Sequence, residues 1–84
     1  MTDSEFTIEF RNAGFKFLIK GEEDGIEYHV CLVFDDNEVF FIIHCRRNDE
    51  LHDQFYGVAT SEVHAMNRIE QWMDNTHASL RRRQ

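Results

Sequence analysis

From Phe6 to Arg46 the apolar residues recur at every second position, and from 61 to 80 the spacing changes to that of a helix. This switch of period constrains the chain more than any other feature. Phe6, Ile8 and Phe10 alternate with Thr7, Glu9 and Arg11, and Phe15, Phe17 and Ile19 alternate with Lys16, Leu18 and Lys20. Period two is the mark of a half-buried strand. Arg11-Asn12-Ala13-Gly14 between the two runs has turn chemistry, because Asn and Gly both tolerate left-handed backbone angles.

Opposing Phe10 to Phe15 sets Ile8 against Phe17 and Phe6 against Ile19, with Glu9 meeting Lys16 and Glu5 meeting Lys20 on the other face. The second pair of runs closes around Asp35-Asp36-Asn37-Glu38. Opposing Phe34 to Val39 brings together Leu32/Phe41, Val30/Ile43 and Tyr28/Cys45 on one face. The other face then holds Val33/Phe40, Cys31/Ile42, His29/His44 and Glu27/Arg46. Cys31 and Cys45 thus point to opposite faces, which disfavours a disulfide between them. Gly21-Glu22-Glu23-Asp24-Gly25 connects the hairpins as an exposed loop.

The expectation is one α+β domain over 1–84, since 84 residues do not divide into two cores. It is a four-stranded antiparallel meander (strands about 5–11, 14–20, 26–34 and 38–46) packed on one face by a C-terminal helix at about 61–80. Residues 47–59 read as irregular, with a helical turn near 49–53 or a short fifth, edge strand near 54–58 as options. Val63, Met66, Ile69, Met73 and Leu80 form the helix stripe, with Ala65, Trp72 and Thr76 at its edge. Thr60 or Ser61 can cap the helix, and Arg81–Arg83 in the tail 81–84 suits the negative end of its dipole.

One helix covers one face of a sheet. That face is expected to hold Phe6, Ile8, Phe10, Phe15, Phe17, Ile19, Tyr28, Val30, Leu32, Phe41 and Ile43. The other keeps a patch of Leu18, Cys31, Val33, Phe40 and Ile42, whose burial is worth on the order of 5–10 kcal/mol. Either residues 47–59 fold over this patch, or two copies pack sheet to sheet as a homodimer through these five side chains, the favoured option.

Sixteen acids against nine Lys and Arg give a net charge of −7. Such a body is repelled by a phosphate backbone, so direct nucleic-acid binding is not expected and a basic protein surface is the natural partner. A meander gathers alternate loops at one end, which places Asp3, Glu5, Glu22, Glu23, Asp24 and Glu27 together, joined by Asp49, Glu50 and Asp53. Spaced carboxylates on a rigid sheet can stand in for phosphates at a nucleic-acid-binding groove.

No motif for nucleophilic, phosphate-binding or zinc-hydrolase chemistry occurs, and Cys45 beside His44 on a strand points away from it. The chain is therefore not expected to be an enzyme or to need a cofactor. His29, Cys31 and His44 share a face and form a weak zinc-ligand candidate, with Glu27 as a fourth group. Against that stands a half-exposed histidine pair with no ligand role. No apolar run reaches the ~18 residues of a membrane helix, and the acidic start at Met1–Glu5 lacks a signal-peptide pattern, so a cytoplasmic location is expected.

The small, acidic α+β design without catalytic residues is similar in kind to phage-encoded inhibitors of host defence, including anti-CRISPR and anti-restriction proteins. That likeness implies a cytoplasmic, non-catalytic inhibitor. The alternatives are an immunity- or antitoxin-type inhibitor of one toxin, and a metal- or ligand-binding module at His29, Cys31 and His44.

Overall fold

A computed structural model describes residues 6–82, with side chains for 6–80. Five strands, β1 (Thr7–Arg11), β2 (Phe15–Gly21), β3 (Ile26–Phe34), β4 (Val39–Arg47) and β5 (Glu50–Ala59), form one antiparallel sheet in the order β1-β2-β3-β4-β5. Helix α1 (Glu62–Arg82) follows and packs on one face. The α+β meander with a C-terminal helix is as expected. The fifth strand, however, is ten residues long and is a full member of the sheet.

The β3–β4 register matches the sequence reading pair for pair, from Phe34 opposite Val39 to Glu27 opposite Arg46. The β1–β2 register does not. Asn12 N–H donates to the Phe15 carbonyl at 2.8 Å, closing a turn that opposes Phe10 to Phe17 rather than to Phe15. A bulge between Ile8 and Phe10 then turns Ile8 toward Leu18. The pairing expected between Glu9 and Lys16 does not form. Lys16 Nζ instead lies 2.7 Å from Glu62 Oε2 at the helix start, and Lys20 Nζ is 3.2 Å from Glu22 Oε2. Glu5, the expected partner of Lys20, lies outside the described residues, as does Asp3.

Across the next connection Gly21 pairs with Glu27, Leu18 with Val30 and Phe17 with Cys31. Leu18 therefore belongs to the helix-covered core and is 4% exposed, while Phe15, Phe17 and Ile19 stand on the opposite face. This reverses the two assignments made from periodicity. Alternation tells which residues of one strand share a face, but the connection tells which face that is.

The core gathers Leu18, Ile26, Tyr28, Val30, Leu32, Val39, Phe41, Ile43, Cys45 and Ala59 from the sheet, against Ala65, Ile69, Met73 and Leu80 of α1. Val63, placed in the stripe by spacing, is 68% exposed. The small Ala65 takes the buried position instead. Ser61 caps the helix, its Oγ accepting from His64 N–H at 3.2 Å.

At the outer strand, Phe41, Phe55 and Trp72 pack in series, with Phe55 stacked on Trp72 at 5.8 Å. Arg68 lies over the Phe41 ring at 5.1 Å and donates from Nη1 to the Val58 carbonyl at 2.8 Å. Gly57 makes room for this, since a Cβ there would stand 2.9 Å from the Phe41 ring and 3.2 Å from the guanidinium.

The turns at the opposite end of the sheet from the helix start are tightly wound. Asp24, Gly25, Asn48 and Asp49 all have left-handed φ, and Asn48 N–H donates to the Gly25 carbonyl at 3.0 Å. A methyl group on Gly25 would run into the Asn48 side chain. Gly25→Ala is expected to cost about 1–3 kcal/mol, from the left-handed backbone and from the displaced Asn48. Urea unfolding should show this as a lower midpoint at unchanged slope. An unchanged midpoint would mean that the two turns are not held together in this way.

Candidate functional site

Two surfaces stand out once the sheet is laid out by register. The first is the sheet face away from the helix. Paired residues of neighbouring strands form rows across it. One row runs Phe15, Val33, Phe40, Val58, and the next runs Phe10, Phe17, Cys31, Ile42, Tyr56. A third holds Ile19, His29, His44 and Gln54. Phe10, Val33, Phe40, Tyr56 and Val58 are 42–68% exposed. These three rows contain no acid, lysine or arginine.

Four of the five residues expected on this patch, Cys31, Val33, Phe40 and Ile42, lie there, and Leu18 does not, for the reason given by the register. The face is larger than the sequence reading made it, because Phe10, Phe15, Phe17 and Ile19 join it. Residues 47–59 do not fold over it. Their apolar residues were too sparse to reveal period two, yet 50–59 extends the sheet as β5.

The second surface is the acidic end. The β2–β3 connection brings Glu22, Glu23 and Asp24, and Glu27 follows as the second residue of β3. The β4–β5 turn brings Asp49 and Glu50, and the Asn48–Gly25 hydrogen bond ties the two turns together. Lys20, Arg46 and Arg47 lie at the same end. Lys20 is engaged by Glu22, and the Arg46 guanidinium donates to the Asp49 carbonyl at 2.8 Å. Asp53 stands further along β5, opposite Cys45, and accepts from the Gln54 N–H at 2.8 Å.

The histidine candidate is only half assembled. His29 and His44 are direct cross-strand partners, but Cys31 lies one row away, about 7 Å along the strand. His29 Nε2 is 3.0 Å from Glu27 Oε1. Among the described residues no three His, Cys, Asp or Glu gather closely enough to hold a metal ion. The weak three-ligand candidate His29, Cys31 and His44 is therefore not assembled.

Cys45 is fully buried. Burial pushes its thiol above the ordinary range and the Asp53 charge reinforces this, while the Tyr28 hydroxyl beside it pulls the other way. Burial also raises the Tyr28 phenol, aided by Cys45, Glu22 and Asp74. Both groups are neutral at ordinary pH, so Cys45 is not poised as a thiolate nucleophile. Cys31 is a free thiol on the open face. Thr60 Oγ1 and His64 Nδ1 approach to 2.9 Å on the exposed helix start.

No described helix is long and apolar enough to cross a membrane. Comparison of the chain with protein-family models, with curated proteins and with solved structures finds no match.

Proposed function

We propose that this chain is a non-catalytic protein-binding module whose acidic end docks on a basic protein surface, in the manner of an inhibitor occupying a nucleic-acid-binding groove. The observation that supports it best is the pair of acidic turns, Glu22–Asp24 and Asp49–Glu50, fastened to each other by the Asn48–Gly25 hydrogen bond. Fastened turns hold their carboxylates at fixed spacing, and less ordering entropy is lost on binding than with free loops. A chain of net charge −7 meets a basic partner under long-range attraction, which gives fast and salt-sensitive association. A phage-type inhibitor of host defence is one protein that would work in this way.

The test is capture from host lysate on tagged protein, with elution in rising salt. A basic, nucleic-acid-binding protein should be retained, released at moderate salt and displaced by added DNA or RNA. Retention of nothing above a tag-only control, or retention indifferent to salt, would overturn the reading. The same surface serves an inhibitor of one toxin, and the captured partner's identity separates the two.

A further inference from the structure

The sheet face opposite the helix is the largest feature that the acidic end leaves unexplained. We infer that this face is a homodimer interface, in which two copies stack sheet to sheet about a two-fold axis passing close to Cys31 on the central strand β3.

Four observations select a second copy as the occupant. The chain's own candidate cover, residues 47–59, is built into the sheet as β5 and cannot lie over it. The three rows carry no acid, lysine or arginine in a chain of net charge −7, so two copies meet there without bringing like charges together. A basic partner, by contrast, finds its counter-charge at the other surface.

The size also fits. Five strands about 4.8 Å apart and three rows about 7 Å apart give roughly 500 Å² in plan. Side-chain relief raises this toward the roughly 600 Å² per partner of small stable interfaces. Finally, the exposed Phe40 stands between Val33 and Val58 in one row, and Ile42 between Cys31 and Tyr56 in the next. Such ridged apolar rows interdigitate with their like across the ~10 Å gap between stacked sheets.

A two-fold contact maps the patch onto itself, so the residue nearest the axis meets its own copy. β3 is the middle strand of five and Cys31 lies in the middle row. The two Cys31 thiols should therefore face each other across the gap.

Sedimentation equilibrium from about 1 to 100 µM should report a species of twice 10.1 kDa. Phe40→Asp places a carboxylate in the middle of the patch and should weaken association by about 100-fold or more. Val63→Asp, on the outer surface of the helix, should leave the mass unchanged. A short bis-maleimide added to the unmodified protein should link two chains through Cys31, and Cys31→Ser should abolish the link.

A mass of 10.1 kDa at every concentration overturns the proposal and assigns the face to a partner of different sequence. A dimer that survives Phe40→Asp, or one whose Cys31 thiols never cross-link, overturns it as well. None of these readings depends on the acidic end, whose binding is tested separately by salt elution.

Discussion

Ile43→Ala is expected to lower the stability of this protein by about 3–4 kcal/mol, whereas Ile42→Ala, one residue away, should cost under about 1 kcal/mol in dilute solution. Ile43 has no exposed surface. It lies in the core cluster with Val30, Leu32 and, from the helix, Ile69. Truncation removes three carbons from a site walled by strand and helix, and the cavity left behind adds to the lost transfer energy. Ile42 points to the open face, where water already reaches it in the single chain.

Against a total stability of about 4–13 kcal/mol for a chain of this size, the first change is severe. Thermal unfolding followed by circular dichroism should show a fall of roughly 12–30 °C for Ile43→Ala. Equal losses at the two positions would mean that both faces are packed within one copy, and that the sheet has no open side.

The second large effect concerns binding. Changing Glu22, Glu23 and Asp24 together to Lys adds two charges at each position and takes the net charge from −7 to −1. The turn also becomes basic. Association with a basic partner should slow and weaken by about 100–1000-fold at low salt, with the difference shrinking as salt rises. These side chains lie outside the core, so the unfolding midpoint should move little by comparison. Asp24 keeps its left-handed backbone at some strain, which Lys tolerates less well than Asp, so Asp24→Asn is the milder companion variant. Undiminished capture by the triple variant would show that the acids only keep the protein in solution.

Much of this architecture was legible from residues 26–46. There both faces of a hairpin carry their own pattern, and two opposite charges, Glu27 and Arg46, stand at facing register positions at its open end. The helix was legible for the same reason, though its buried stripe is turned toward Ala65 because a small side chain suits close approach to the sheet.

Three features were not legible, each for a physical reason. The bulge in β1 is invisible to alternation, since one extra residue moves Phe6 and Ile8 to the helix side while Phe10 stays on the other. The face of β2 depends on how many residues the 22–25 connection consumes, and hydropathy is silent on that. β5 is largely exposed along its length, so it shows little alternation to read. For the candidate surfaces, the gathering of acids at one end followed from topology alone. The membership of the apolar patch depended on the β2–β3 parity, which is why Leu18 was placed on the wrong side.

The contact between Arg68 and the Val58 carbonyl bears on how far assembly can go. β5 is a ten-residue edge, and an open edge invites another strand to add itself, then another, without limit. Arg68 occupies one of the acceptors such a strand would need, and a bulge opposite Cys45 and Arg46 interrupts the ladder toward the other end of β5. Growth by strand addition is thereby discouraged, while the stacking proposed above through the broad face would close on itself after two copies. The guanidinium thus favours a finite particle over a fibre.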